Sequence, residues 1–294
     1  MKRLIYAFIA ISIIFTIAAC SGNNKTSEEV SAVLEDNKAS KQEQVIEPKA
    51  GATLVLKADS DLVKIEKPYL PNAEFDVMTS LLKGDEAKLV EAGVEWHKVL
   101  YDGQEGYVLA MDVEGIDPLP SPYYIYIEKG SHTINVYEKG DDGEYSKLIK
   151  TFLTATGITA GKTPTGVFSV SKKYEWKQFD SAGVAQQYSY SPYVVQFTEG
   201  IYIHGSVYGE MDFNTMYGNT YKEIGTNSTA GCMRTNAGAA YWIYMNCPMG
   251  TTVEVVNGSP REIKTPELIK PIHDLEKGRY FDPTDPNREN PIEP

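Results

Sequence analysis

After Lys2 and Arg3 the chain runs uncharged from Leu4 to Ala19, LIYAFIAISIIFTIAA. A helix that crosses a membrane needs about 20 apolar residues. A shorter run with a positive start fits the core of an export signal, so residues 1–19 are predicted to be a signal peptide. The pattern then reverses. Residues 20–50 hold no aromatic side chain and are rich in Ser, Lys, Glu, Asp, Asn and Gln; they bury too little to offset their ordering entropy and predict a flexible tether. Over 51–116 short apolar runs alternate with turn residues. Trp96-His97-Lys98-Val99-Leu100-Tyr101 and Gly106-Tyr107-Val108-Leu109 flank Asp102-Gly103, a hairpin signal. Leu82-Lys83-Gly84-Asp85-Glu86 supplies a turn before a strand around Lys88–Val90.

Pro118, Pro120 and Pro122 mark 117–122 as a stiff linker. A second strand-rich segment spans 123–258. It opens with Tyr124-Ile125-Tyr126-Ile127 and Thr133-Ile134-Asn135-Val136-Tyr137 on either side of Lys129-Gly130, and closes with Thr252-Val253-Glu254-Val255. One helix is expected from Asn236 to Asn246, with Asn236 as N-cap and Ala239, Trp242 and Ile243 on one face. The last segment, 259–294, holds seven of the 16 prolines and little periodicity, which predicts an extended tail draped on the surface. The expected class is mainly β, with two β-rich segments and one short helix.

Composition narrows the function. The 294 residues carry a net charge of −12, without the basic footprint that phosphate backbones require, so nucleic acid is excluded as a partner. The 20 Tyr suit strands that need an apolar body with a polar tip. Three Cys cannot build a disulfide framework. One of them, Cys20, follows Ile17-Ala18-Ala19 and resembles the lipobox of bacterial lipoproteins. That resemblance implies a diacylglycerol thioether on Cys20, a membrane as partner, and an extracytoplasmic location. An uncleaved N-terminal anchor would also leave the body outside the cytoplasm.

The chemistry-bearing strings are Ile203-His204-Gly205-Ser206 and Ser228-Thr229-Ala230-Gly231-Cys232-Met233-Arg234. A cysteine nucleophile acts as its thiolate, and an imidazole can take the proton, which predicts a depressed pKa for such a thiol. A tight Gly-Cys turn can offer backbone N–H groups to a developing oxyanion. Arg234 adds a permanent cation that either orients a carboxylate or steadies the turn. A zinc site from His204, Cys232 and Cys247 lacks a close-spaced ligand pair and a fourth ligand. Cys247 reads as buried packing, His97 as a surface or structural residue, and His132 and His273 have no recruiting neighbours.

Together these strings resemble the L,D-transpeptidase (YkuD) catalytic domain, in which His-Gly is followed by Ser/Thr-X-Gly-Cys-X-Arg. Lys162-Thr163-Pro164-Thr165-Gly166-Val167-Phe168, Pro192-Tyr193 and Gly250-Thr251-Thr252-Val253 also match the family, in order. The resemblance implies Cys232 as nucleophile, His204 as base, and the Gly205 carbonyl orienting the imidazole. It implies Arg234 and Tyr193 as substrate-binding residues. Ala230 departs from the His that many members carry before Gly-Cys. The implied reaction joins third residues of peptidoglycan stem peptides through a Cys thioester, with no metal or organic cofactor. Carbapenems, with their activated ring carbonyl, are the implied covalent inhibitors. Water in place of the acceptor amine would make the site an L,D-carboxypeptidase, and a catalytically idle wall-binding lipoprotein is a further alternative. Residues 51–116 resemble a bacterial SH3-like domain. Every catalytic match lies after Tyr123, so that module is expected to be dispensable for chemistry on soluble peptides.

Overall fold

The computed structural model describes residues 49–67, 69–70, 74–180, 188–258 and 264–294. The expected signal peptide, Cys20 and nearly all of the tether lie outside these residues. Among the described residues no helix is long and apolar enough to cross a membrane.

The first segment is one antiparallel sheet of β1 (Thr53–Leu56), β2 (Ser60–Val63), β3 (Val77–Leu81), β4 (Glu86–Glu91), β5 (Trp96–Tyr101), β6 (Gln104–Leu109) and β7 (Val113–Glu114). Their order is β3-β2-β6-β5-β4-β1-β7. Strand alternation sets its core: in β4 Ala87 and Leu89 are buried while Lys88 is exposed, and Leu54, Leu62, Val99 and Val108 join them. The expected β5–β6 hairpin forms, with Asp102 (φ 46°) and Gly103 (φ 76°) both left-handed. That conformation matches the twist of paired strands, and Asp-Gly reaches it at low cost.

The second segment holds two larger sheets. One orders β10 (Lys147–Leu153), β9 (Thr133–Glu138), β8 (Tyr123–Glu128), β18 (Thr252–Val256) and β12 (Gly166–Ser169); the other orders β13 (Lys172–Asp180), β14 (Tyr188–Thr198), β15 (Ile201–His204) and β17 (Met233–Arg234). A short parallel pair links β11 (Thr156–Gly157) to β16 (Asn227–Thr229). Helix α1 (Gly218–Lys222) precedes the Cys232 turn and α2 (Ala237–Asn246) follows it. Ile125, Ile134 and Val253 of the first sheet, Val195 and Ile203 of the second, and Ala239 and Ile243 of α2 share one core. Each large aliphatic side chain buried there contributes about 1.5–3 kcal/mol. The helix begins as expected, with the Asn236 side chain accepting from the Ala239 N–H at 2.8 Å.

Two segments outside the large sheets are bonded into the fold. Within 117–122, Leu119 N–H donates to Gly93 O at 2.9 Å, and the buried Ser121 hydroxyl lies 2.8 Å from Thr251 Oγ1, so this stretch is packed and bonded. The tail is likewise built into the fold. It forms a hairpin of β19 (Ile272–Asp274) and β20 (Arg279–Phe281), and Asp282, Thr284 and Asp285 beyond it are buried. Polar side chains that bond backbone groups hold it, and such groups leave no hydropathy signature.

Candidate active site

Strands β15 and β17 run parallel, pairing Ile203 with Met233 and His204 with Arg234. This brings Cys232, just before β17, beside Tyr202, whose backbone hydrogen-bonds the thiol. His204 is buried, and its Nδ1 lies 2.8 Å from Gly205 O. A carbonyl only accepts, so Nδ1 carries the proton and Nε2 is the basic nitrogen. Burial, then the charge of Arg234, pushes His204 down from its ordinary 6.5 to about 4, against the opposing Gly205 bond. Burial also pushes the Cys232 thiol up, opposed by the Tyr202 backbone and by the charges of Arg234 and Lys177. The depressed thiol pKa expected from the sequence is therefore not what the structure gives. His204 is buried and Cys232 half-buried, surroundings that disfavour charge on either, and the resting groups are a thiol and a neutral imidazole.

The turn that carries Cys232 is fixed from several sides. Gly231 has φ 144°, and a Cβ there would stand 2.6 Å from Lys162 O. Thr163 Oγ1 donates to Gly231 O at 2.7 Å and accepts from Gly157 N–H at 2.9 Å. Thr229 Oγ1 accepts from Gly231 N–H at 3.1 Å and donates to Cys232 O at 2.7 Å. The Gly231 N–H is thus spent inside the turn, and of the Gly-Cys pair the Cys232 N–H remains the candidate oxyanion donor. Arg234 Nη2 lies 2.7 Å from Glu223 Oε2 and 2.9 Å from Ser228 Oγ, with its side chain buried. Arg234 steadies the turn through Nη2, while its buried Nε has no hydrogen-bond partner.

The structure thus sets an imidazole with Nδ1 on the next backbone carbonyl on one strand and a cysteine just before the neighbouring one. Residues 122–255 match the family model of the L,D-transpeptidase catalytic domain, YkuD. This segment is a YkuD domain. No curated protein matches the chain. Among solved structures, an L,D-transpeptidase from Mycobacterium smegmatis is 17% identical, with 71% of this chain and 95% of that chain covered and a TM-score of 0.39. L,D-transpeptidase 3 from Mycobacterium tuberculosis, in complex with a faropenem-derived adduct, is 15% identical, with 70% and 81% covered and a TM-score of 0.36. A fused Zn-dependent amidase/peptidase/peptidoglycan-binding domain-containing protein from Clostridium acetobutylicum is 24% identical, with 46% and 52% covered and a TM-score of 0.34. The chain therefore spans about half the length of that last protein.

Other expected residues of the YkuD domain fall elsewhere. Tyr193, expected to bind substrate, is buried: its ring centroid is 4.9 Å from that of Tyr241, and its hydroxyl accepts from Asn287 Nδ2 at 2.7 Å. It is a core residue held at φ 56°. The aromatic residues before β15 divide. Trp176 packs on Phe213, ring centroids 4.8 Å apart, whereas Phe179 lies 5.1 Å from the His204 ring and 5.5 Å from the Tyr202 ring. Over this second group stands Lys177, with Nζ 4.9 Å from the Tyr174 ring centroid, 5.1 Å from that of Tyr202 and 5.7 Å from that of Phe179.

Sequence reasoning did not find Lys177, Glu223 or Asp282. Asp282 Oδ2 accepts from Ser206 Oγ at 2.7 Å and from Ala237 N–H at 2.6 Å, tying the strand end after His204 to the helix after Cys232. None of the three sits in a periodic or motif position. Thr163 was within reach, because it lies in the Lys162–Phe168 string. Cys247 is fully buried and its thiol is pushed up to about 12 by burial. His97 is buried, with Nδ1 accepting from Gly93 N–H at 3.1 Å, and the His273 ring stacks on Tyr280 at 4.4 Å. Among the described residues no group of three His, Cys, Asp or Glu could hold a metal ion.

Proposed function

We propose that this YkuD domain is a cysteine L,D-transpeptidase that joins third residues of peptidoglycan stems. The carrying observation is the His204 tautomer. With Nδ1–H held by Gly205 O, Nε2 is left as the basic nitrogen, on the strand beside Cys232. The Cys232 sulfur attacks the carbonyl of the third, diamino residue of a tetrapeptide stem, and its proton passes to His204 Nε2. The C–N bond to the terminal D-Ala breaks as that proton moves to the departing amine. A side-chain amine from a second stem then attacks the thioester. Its proton travels through His204 to the sulfur, restoring the thiol. Because the resting pair is neutral, charge separation belongs to the transition state, where the Cys232 N–H can meet the oxyanion.

The same reading has carbapenems acylate Cys232. It keeps residues 51–116 as an SH3-like module and Cys20 as a lipid anchor at the extracytoplasmic face. The test is mass spectrometry of peptidoglycan fragments incubated with the soluble chain beginning at residue 21. Cross-linked dimers that vanish in Cys232→Ala support the proposal. Loss of D-Ala alone would make the domain a carboxypeptidase, and no change at all would make it a catalytically idle wall protein.

A further inference from the structure

Arg234 is occupied by Glu223, yet the acyl donor of the proposed reaction ends in a D-Ala carboxylate, one residue beyond the scissile bond. A carboxylate entering a desolvated cleft needs a cation. Lys177, half-buried on β13, is placed to supply it. Its Nζ stands over Tyr174, Tyr202 and Phe179 at 4.9, 5.1 and 5.7 Å. Tyr202 is the residue whose backbone bonds the Cys232 thiol, and the Phe179 ring is 5.1 Å from that of His204. The ammonium therefore stands over the Tyr202 and Phe179 rings, the second of which packs on His204, and its charge reaches the Cys232 sulfur. None of the ion pairs among the described residues uses Lys177. Ring faces hold a cation by their quadrupoles without consuming its N–H donors, so three aromatic faces position this ammonium while leaving donors for an anion.

We propose that Lys177 binds the terminal carboxylate of the acyl donor and so selects stems that end in a free acid. The inference rests on the transpeptidase reading above. It is tested on the full chain carrying Cys232→Ala, where no acylation occurs, by calorimetric titration with a stem tetrapeptide and with the same peptide amidated at its C-terminus. The acid is expected to bind about tenfold more tightly than the amide, the effect of one charged hydrogen bond. Adding Lys177→Gln should lower the acid to the level of the amide and leave the amide unchanged, whereas Lys177→Arg should keep the preference. Equal weakening of both peptides, weakening of neither, or no binding of either overturns the proposal. Dimer formation by the chain with Cys232 intact is read separately. A Lys177-dependent acid preference without dimers would refute the reaction but keep the site, and dimers without that preference would do the reverse.

Discussion

Burial holds His204 near 4 and raises the Cys232 thiol, so at neutral pH the two exchange a proton only as a carbonyl is attacked. General-base assistance of that kind contributes about 10²–10⁴-fold. A carbapenem should therefore add once per chain, at Cys232, and His204→Ala should slow the addition by about that factor. Cys247→Ser should react like the parent, because Cys247 is sealed from solvent with its thiol near 12. Intact mass with peptide mapping decides this, and an adduct on Cys247 would remove Cys232 as nucleophile. The same burial has a cost in acid. Below 6.5 the unfolded chain protonates His204, while the folded chain resists until about 4, so stability present above 6.5 is lost as pH falls between those values. The loss approaches about 3 kcal/mol at the acid end. His204→Gln should flatten that slope, seen by comparing unfolding midpoints at pH 8 and pH 5; an unchanged slope would mean that other groups carry the acid sensitivity. The strings named His204 and Cys232 without a structure. Their protonation was not legible, since it depends on what the fold packs around them.

The Cys232 turn is specified by conformation more than by side-chain chemistry. At φ 144°, with Lys162 O only 2.6 Å from where a Cβ would stand, Gly231 tolerates no L side chain without movement of the Lys162 backbone. Gly231→Ala should cost on the order of 1–3 kcal/mol from strain, and should slow acylation because Cys232 shifts relative to His204. Chemical denaturation and the rate of carbapenem addition measure the two effects; parent-like values for both would show that the turn relaxes freely. Local signals did give the α2 cap at Asn236 and the Asp102-Gly103 hairpin, since each is settled within a few residues. The division of the aromatic residues was not legible, because β13 and its neighbours send Trp176 to Phe213 and Phe179 to His204. Nor was Tyr193, whose left-handed backbone lies where the β13–β14 pairing passes from Val194 to Pro192.

The sequence reads as two independent segments joined by a linker, but single residues tie them together. Glu95, just before β5, accepts from Tyr69 N–H at 2.8 Å and from Met249 N–H at 3.1 Å, and lies 3.8 Å from Lys173 Nζ on β13. The Lys173 side chain is fully buried and that of Glu95 is 10% exposed. No composition shift or periodicity marks such a tie, which is why residues 51–116 looked dispensable. Their deletion would leave Met249 N–H and the Lys173 ammonium without these partners. Glu95→Gln removes the charge that neutralises Lys173 and, because the two carboxylate oxygens accept from Tyr69 N–H and Met249 N–H respectively, also replaces one of those acceptors by an amide donor. Removing one member of a buried ion pair costs about 3–5 kcal/mol, while replacing both by apolar or neutral groups of similar volume is often close to neutral. Glu95→Gln should therefore lower stability by that amount. Adding Lys173→Met should recover the part due to the unpaired ammonium and leave the part due to the lost backbone acceptor, a coupling read from a double-mutant cycle by chemical denaturation. If the double variant were no more stable than Glu95→Gln, the Glu95 contribution would lie in its bonds to Tyr69 and Met249 rather than in its charge.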